Sequence, residues 1–169
     1  RPDLQIKTLR GNINTRLAKL DAGDFDAIIL AASGLERMGF DEVITEVLSA
    51  DMMLPTCGQG ALCIESRVDD PFVAELVSSL NDATSALCVH TERQVNAQLG
   101  GNCHVPLAVF ATVLEGQLNL SARLLSIDGL TCIEDSRKGD VAQASALAHS
   151  CSDALIAKGA RALISASLL

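Results

Sequence analysis

The sequence predicts an α/β chain that passes into a small α+β domain made of a three-stranded antiparallel sheet and helices. The α/β part is indicated by a nearly continuous apolar run at residues 26–32, which follows a helix-like segment and is typical of a buried parallel strand. The α+β part is indicated by three β-rich runs after residue 106, joined by short turns at Glu115-Gly116 and Asp128-Gly129. Together these patterns favour a crossover unit followed by an antiparallel meander.

The amino-terminal elements alternate between strand and helix patterns. Residues 4–9 alternate apolar and polar side chains, as a half-buried strand does, and lead into the turn Arg10-Gly11-Asn12. Ligands of such units gather beyond the carboxyl ends of the strands, so a site in this half is expected there. The other elements predicted here are a helix capped by Asn14 or Thr15 and closed by Gly23, the strand at residues 26–32, and a short helix at residues 33–39.

The rest of the chain is predicted to be mainly helical before the glycine pair at 100–101 and β-rich after it. Pro71 favours the first turn of one helix, and Asn81 or Asp82 is a suitable cap for the next. The predicted elements are an irregular connection at 54–60, a strand at 61–65, helices at 72–80 and 83–98, strands at 107–114, 117–125 and 130–137, a helix at 141–157, and a short apolar element at the end.

Composition indicates a globular protein with an aliphatic core. Hydrophobic residues make up 49% of the chain, Trp and Tyr are absent, and the formal net charge is -8. Nucleic acid is not a predicted partner, because the chain is acidic and lacks these stacking side chains. The longest apolar run is far too short to span a bilayer, so no membrane partner is predicted either.

The six cysteines favour a reducing compartment over a disulfide framework. A chain of 169 residues can bury a core without disulfides, and nothing resembling a signal peptide precedes it. The cysteines show neither C-x-x-C spacing nor a Cys/His ladder, so no metal site is predicted. We therefore expect a cytoplasmic protein. Because the chain starts at Arg1 and enters a strand pattern almost at once, we expect it to be the later part of a longer protein.

One cysteine, Cys103, lies in a loop suited to close approach of the backbone. Gly100 and Gly101 open conformations that side chains disfavour, and Pro106 removes one donor from the segment that follows. Cys103 is therefore predicted at an accessible turn before a strand. The alternative is a small buried hydrophobic side chain, which is the usual role of a free cysteine. A further alternative pairs Cys103 with His104 in a thiol hydrolase, for which no third orienting group is evident.

Three arginines occupy positions where a strand ends or a short helix follows. Arg10 ends the first strand pattern, Arg16 begins the next helix, and Arg37 lies in the short helix after the second strand pattern. Guanidinium groups near helix starts can bind carboxylates bidentately, so the three arginines predict an anion site at one end of the strands. The alternative is that each is a solvated surface charge.

Other polar residues give weaker signals. Gln59 lies between two glycines, where it can hydrogen-bond a ligand beside exposed backbone, although G-x-G occurs in many loops. His90 is a possible partner for Cys103 but lies more than three helical turns upstream. Asp82 and Glu92 are interpreted as a helix cap and part of an exposed helix face.

Six segments, in order along the chain, carry a family resemblance. They are Leu9-Arg10-Gly11-Asn12, Thr15-Arg16-Leu17, Asp26-Ala27-Ile28-Ile29-Leu30-Ala31, Gly34-Leu35-Glu36-Arg37, Leu54-Pro55 with Gly58-Gln59-Gly60-Ala61, and Gly100-Gly101-Asn102-Cys103-His104-Val105-Pro106. Together they closely resemble the porphobilinogen deaminases, also called hydroxymethylbilane synthases, over essentially the whole chain. No single segment is decisive, but six in the right order make chance resemblance improbable.

The resemblance implies a three-domain architecture of which this chain holds the later part. Members of the family enclose a basic cleft between two α/β domains similar to periplasmic binding proteins, and a third α+β domain carries a cysteine on a loop. Residues 1–54 would then be the later part of the second domain, which resembles a binding protein. Residues 55–82 would be a hinge and a return segment to the first domain, and residues 83–169 the third domain.

The resemblance also implies a cofactor and a reaction. A dipyrromethane would be attached to Cys103 through a thioether, and a monomeric transferase would extend it with four porphobilinogen units, releasing ammonia and then hydroxymethylbilane for haem biosynthesis. The residues implied in cofactor binding are Cys103, Arg10, Gly11, Arg16 and Gln59, and those implied in substrate binding are Arg16 and Arg37.

The chain departs from the family pattern by lacking the amino-terminal domain and the first part of the second. The aspartate that handles protons on the pyrrole nitrogens belongs to that missing part, so no catalytic residue is assigned in this chain. Its expected partners are porphobilinogen and the amino-terminal part of the same enzyme. The isolated chain would expose apolar faces near residues 28–31 and be poorly soluble. The alternative function is a noncatalytic anion-binding α/β module.

Overall fold

The computed structural model of the chain describes residues 3–101 and 105–167. These residues fall into two compact units, one up to Val47 and one from Leu48 onward. Within them, every helix is too short or too polar to traverse a bilayer. The helices are α1 (Ile13–Asp21), α2 (Ala32–Arg37), α3 (Pro71–Ser78), α4 (Ala83–Leu99), α5 (Ala144–Ala157) and α6 (Ala160–Ser167); the strands are β1 (Leu107–Leu114), β2 (Gln117–Leu125) and β3 (Cys132–Asp140); short 3-10 helices lie at Asp41–Val43 and Val141–Gln143.

The second unit is built on an antiparallel sheet with the strand order β1-β2-β3. Strands β1 and β2 pair up to Leu114 opposite Gln117, and a two-residue turn joins them. Both turn residues, Glu115 and Gly116, have positive φ angles of 51° and 75°. Such turns match the right-handed twist of paired strands. The predicted three-stranded meander is confirmed, with the third strand running from Cys132 to Asp140 rather than over residues 130–137.

Helices α4 and α5 cover one face of this sheet and pack against each other. Alternate residues of β2 point into the layer between sheet and helices, which is the expected period of a half-buried strand. The most deeply buried apolar residues of this core are Leu118, Leu120, Ala122 and Leu124 of β2, Val109 of β1, Val95 of α4, and Ala148, Cys151 and Leu155 of α5. Burying each leucine side chain stabilises the fold by about 1.5–3 kcal/mol.

Helices α3 and α4 begin as the sequence predicts. Pro71 occupies the first turn of α3, and the Asp70 side chain accepts a hydrogen bond from the Val73 amide at 3.1 Å. Asp82 caps α4 by accepting the Ser85 amide at 2.7 Å. This hydrogen bond lowers the pKa of Asp82, since it favours the charged carboxylate.

The first unit has a different helix cap from the one predicted. The Oδ1 atom of Asn12 accepts the Thr15 amide at 2.9 Å, so α1 starts at Ile13 and neither Asn14 nor Thr15 is its cap. Gly23 closes the helix as predicted, with a φ angle of 78°. The short helix predicted at 33–39 is α2, which begins one residue earlier and ends at Arg37.

The strands predicted at residues 4–9, 26–32 and 61–65 are wrong for this chain. The structure assigns none of the three segments to a strand, and Ala32 already belongs to α2. A strand exists only where a neighbour accepts its backbone hydrogen bonds. Among the described residues, strand pairing is confined to β1, β2 and β3. The parallel sheet expected in the first half therefore does not form within this chain.

Candidate functional site

The turn before α1 is built around a glycine that cannot be replaced without strain. Gly11 has a φ angle of 125°, which side-chain-bearing residues rarely adopt. A Cβ atom added there would lie 2.8 Å from Cγ2 of Thr15. Thr15 cannot turn aside freely, because both its amide and its hydroxyl bond to Oδ1 of Asn12. The sequence therefore places bare backbone at the start of α1.

Two cations from α1 hold the carbonyl groups of this turn. The Nε atom of Arg16 donates to the Gly11 carbonyl at 2.7 Å, and the Nζ atom of Lys19 donates to the Arg10 carbonyl at 3.1 Å. Both side chains are half-buried. Because Arg16 uses Nε for the backbone, its two terminal nitrogens can still donate in parallel to a carboxylate. The turn is therefore positively charged and has a fixed guanidinium.

A cavity of about 470 Å³ opens beside this turn. In any α-helix the first amides have no acceptor within the helix, and here these are the N–H groups of Ile13 and Asn14 at the cavity wall. These amides and the Arg16 guanidinium suit a carboxylate ligand, and the apolar wall suits the body of a ring. The lining residues are Gly11, Asn12, Ile13, Asn14, Arg16, Leu30, Ala31, Gly34 and Met38.

The structure brings together only part of the predicted arginine group. Gly11 and Arg16 line the cavity, whereas neither Arg10 nor Arg37 is among the described residues that line it. Arg10 is exposed at the end of the segment before the turn, and Arg37 is exposed in the last turn of α2. The assignment of Arg10 and Arg37 to ligand binding therefore stays a prediction.

Cys103 lies outside the described residues, as do Asn102 and His104. Helix α4 ends at Leu99, and Gly100 follows with a left-handed φ angle of 72°. A Cβ atom on Gly101 would collide with Oδ1 of Asn96, whose amide nitrogen donates to the Gly101 carbonyl at 3.2 Å. The glycine pair thus folds the chain tightly against the end of α4.

The predicted thiol partner His90 is engaged locally on α4. Its Nδ1 atom lies 2.7 Å from the Ala86 carbonyl, one helical turn earlier. The side chain is exposed. This contact accounts for one ring nitrogen of His90 without any role in thiol chemistry.

Gln59 lies in a compact turn at residues 56–61. The Gln59 amide donates to the Thr56 carbonyl at 3.0 Å, and the Thr56 hydroxyl donates to Oε1 of Gln59 at 3.1 Å. Gly58 and Gly60 both have left-handed φ angles, of 69° and 80°. The exposed Gln59 side chain keeps an amide N–H2 group that can donate to a carboxylate.

Glu92 is buried, so its interpretation as part of an exposed helix face is wrong. Only 4% of the residue is accessible. Its Oε2 atom accepts the Gly58 amide at 2.7 Å, and its Oε1 atom accepts the Ala111 amide at 2.8 Å. Burial raises the pKa of Glu92, and the two backbone hydrogen bonds partly oppose that rise.

The five described cysteines are free thiols with different surroundings. Cys151 is fully buried in the core. Burial, followed by the charge of Asp135, raises its pKa to about 12, so it is a poor nucleophile. Burial also raises the pKa values of Cys57 and Cys88, with a smaller contribution from Glu92. None of these three thiols is therefore activated for chemistry.

Two residues of the site were missed by sequence reasoning. Lys19 lies three positions after Arg16 and so shares its face of α1, a spacing that was available in the sequence. Glu92 occupies the same helical stripe as Cys88, Val95 and Leu99, which predicts burial by periodicity. Glu92 was nevertheless predicted to be exposed, because a charged carboxylate is seldom buried without partners.

A second cavity, of about 360 Å³, lies within the second unit and contrasts with the first. Its charges are paired with one another: Arg123 with Glu134 at 3.1 Å, and Lys158 with Asp135 at 3.4 Å. A cavity whose cations already face carboxylates is poorly suited to an anionic ligand. The cavity beside Gly11 and Arg16 is therefore the stronger candidate.

Comparison with known families gives matches over most of the chain. The model described as "Porphobilinogen deaminase, dipyromethane cofactor binding domain" matches residues 1–75. The model described as "Porphobilinogen deaminase, C-terminal domain" matches residues 86–157. The first match contains the cavity beside Gly11, and the second contains Cys103 and Glu92.

Individual relatives agree with the family matches. Porphobilinogen deaminase of Legionella pneumophila strain Philadelphia 1 is 58% identical over 165 residues, covering 97% of this chain and 53% of the relative. The protein of the same name from Legionella pneumophila strain Paris is 56% identical with the same coverage. That of Thiobacillus denitrificans is 45% identical over 165 residues, covering 98% of this chain and 54% of the relative. The chain thus spans about half the length of these relatives.

Proposed function

The chain belongs to the porphobilinogen deaminase family, and from this premise we propose that it forms the carboxy-terminal part of a hydroxymethylbilane synthase. The complete enzyme is a transferase that builds a linear tetrapyrrole from four porphobilinogen units. The structural observation that carries the proposal is the cavity lined by Gly11 and Arg16, where a guanidinium, helix-start amides and bare backbone meet. These groups fit the acidic arms of a pyrrole.

We propose a domain arrangement to go with this function. Residues 1–54 complete an α/β domain that resembles a periplasmic binding protein, residues 55–82 form a hinge and a return segment, and residues 83–169 form the domain that carries the cofactor cysteine. Within the described part of the chain, residues 4–9 and 26–31 pair with no strand, which supports this arrangement, since the amino-terminal part of the enzyme would supply the partners.

Cys103 is the proposed attachment point of the dipyrromethane cofactor, through a thioether. When bound, the cofactor would supply the primer onto which four porphobilinogen units are condensed with loss of ammonia, and hydrolysis would then release hydroxymethylbilane.

The residues of this chain bind and orient carboxylates in that reaction. Acetate and propionate arms accumulate as the product grows, so the site needs several cationic and N–H donors. Arg16 is fixed for this purpose by its bond to the Gly11 carbonyl, and Arg10 and Gln59 are proposed to contact the cofactor as well. Arg16 and Arg37 are proposed to bind the incoming substrate.

The acid and base steps are assigned to the amino-terminal part of the enzyme. An aspartate expected there would handle protons on the pyrrole nitrogens. We propose that the complete enzyme is a cytoplasmic monomer, and the free thiols of the five described cysteines support the reducing compartment. Its partners are porphobilinogen and that amino-terminal part, with no nucleic acid or membrane partner.

A reconstitution assay tests the function. The chain is mixed with the amino-terminal half of the enzyme, and porphobilinogen consumption is followed with time. We expect consumption with the mixture and none with either half alone. Cys103→Ser abolishes it, whereas Cys132→Ser, an exposed cysteine on β3, does not. If the two halves bind each other but their mixture consumes no porphobilinogen, the proposal is contradicted.

A noncatalytic anion-binding module is the second candidate, favoured by the fact that one unit contains the whole cavity. Titration separates the two functions. A binding module takes up small dicarboxylates as tightly as porphobilinogen, and its affinity is unaffected by Cys103→Ser. A synthase prefers porphobilinogen and converts it.

A further inference from the structure

We propose that Glu92 is a positioning residue that fixes the turn bearing Gln59 against α4, the helix that leads to Cys103. Its effect on catalysis rests on the function proposed above. The contact itself does not, because it lies wholly within the second unit.

Glu92 joins three elements that are distant in sequence. It projects from α4, its Oε2 atom accepts the Gly58 amide at 2.7 Å, and its Oε1 atom accepts the Ala111 amide of β1 at 2.8 Å. Strand β1 lies at the edge of the sheet, and its Ala111 amide donates to Glu92, away from β2, where no strand would otherwise accept it among the described residues. The Glu92 side chain thus supplies an acceptor for an outward amide of β1 and anchors the turn at 56–61.

Both partners of Glu92 are donors, which explains why a carboxylate is required. An ionised carboxylate accepts at both oxygens, whereas glutamine would turn an N–H2 group toward one of the two amides. Neither Gly58 nor Ala111 can change this pattern, since both contribute only backbone N–H groups. Glutamine therefore keeps the size of the side chain but loses one of its two contacts.

The consequence for the site is that the position of Gln59 depends on Glu92. Gln59 is adjacent to Gly58, and its own side chain is braced by the Thr56 hydroxyl at 3.1 Å. Glu92 holds this turn through the Gly58 amide. Releasing the Gly58 amide would let the whole turn, including the Gln59 amide, shift relative to α4.

Amide exchange in the full-length protein tests the contact. In the wild type, the Gly58 and Ala111 amides are both expected to exchange slowly. Glu92→Gln should accelerate exchange at one or both by about tenfold or more, the factor for losing a hydrogen bond to a charged group. Glu75→Gln on α3, an exposed carboxylate, is the matched control and should change neither. A rapidly exchanging Gly58 amide in the wild type overturns the contact without any variant.

Steady-state kinetics of the same variants test the positioning role. For folded, cofactor-loaded enzyme, Glu92→Gln is expected to lower kcat about tenfold while KM for porphobilinogen stays within about twofold, since Gln59 is proposed to contact the cofactor and not the incoming substrate. An unchanged kcat together with faster Gly58 exchange overturns the positioning role. If the wild type carries no cofactor, the proposed function fails, and the exchange data still decide the contact.

Discussion

Replacing Gly11 with alanine should selectively destabilise the start of α1. The φ angle of 125° lies far from the left-handed region that other residues tolerate, which costs about 2–3 kcal/mol. The new Cβ atom would also meet Cγ2 of Thr15 at 2.8 Å, and moving Thr15 weakens the Asn12 cap by about 1 kcal/mol. The expected total is about 3–4 kcal/mol.

Gly23→Ala is the control for this substitution. Gly23 also has a positive φ angle, of 78°, but a Cβ atom there meets nothing within 4 Å. Its cost is about 1–2 kcal/mol from backbone strain alone. The two variants should therefore differ by about 2 kcal/mol, or about 30-fold in exchange rate.

Hydrogen exchange at the Arg16 amide, which bonds to the Asn12 carbonyl at 3.0 Å, measures this difference in the full-length protein. Gly11→Ala should raise the exchange rate of the Arg16 amide about 30-fold more than Gly23→Ala does. Because the carboxylate site is built on the start of α1, carboxylate binding should weaken in the same proportion. Equal exchange in the two variants would refute the close approach at Gly11.

Three further outcomes follow from the second unit. Leu124→Ala removes a fully buried side chain and should lower the free energy of unfolding in urea by about 2–5 kcal/mol, whereas Leu114→Ala, at a residue 69% exposed, should change it by no more than about 0.5 kcal/mol. Iodoacetamide at pH 8 should modify the exposed Cys132 and leave Cys151 unmodified until urea is added, because burial raises the pKa of Cys151 to about 12; peptide mass mapping would contradict this by finding equal labelling. The fold raises the pKa of Glu92 above its ordinary value of 4.5, so the unfolded chain ionises first as pH rises. The free energy of unfolding should therefore fall as the pH rises from the pKa of Glu92 in the unfolded chain to its higher pKa in the fold, and should then level off. Glu92→Gln should remove this decrease from the pH profile.

The second unit could be predicted closely because its signals are local. Turn residues at Glu115-Gly116, the β-rich run at 117–125 and the Asp82 cap each act over a few residues, and the structure confirms all three. The long helix ending at the glycine pair was predicted to within one residue.

The first unit shows where local signals fail. The apolar run at 26–32 has the composition of a buried strand, but a strand also needs neighbours, and the described residues of this chain supply none for it. The local pattern does not show this, because pairing depends on residues elsewhere; only the family resemblance, which implies a missing part of the domain, indicated it. The cap of α1 was misplaced by two residues, since Asn12 and Asn14 are equally good caps by residue type.

The part of the site that depends on local sequence was predicted, and the part that depends on distant contacts was not. Gly11 and Arg16 are close in sequence, so a turn followed by a helix is enough to bring them together. Glu92 contacts Gly58 across 34 residues and Ala111 across 19, and such contacts follow from tertiary packing alone.

Peptide mass spectrometry of the full-length protein tests the attachment at Cys103 most directly. The peptide containing Cys103 should carry an added mass equal to a dipyrromethane, and the same peptide from Cys103→Ser should be unmodified. An unmodified Cys103 in active enzyme, or the same added mass on another cysteine, would contradict the assignment of Cys103 as the cofactor residue.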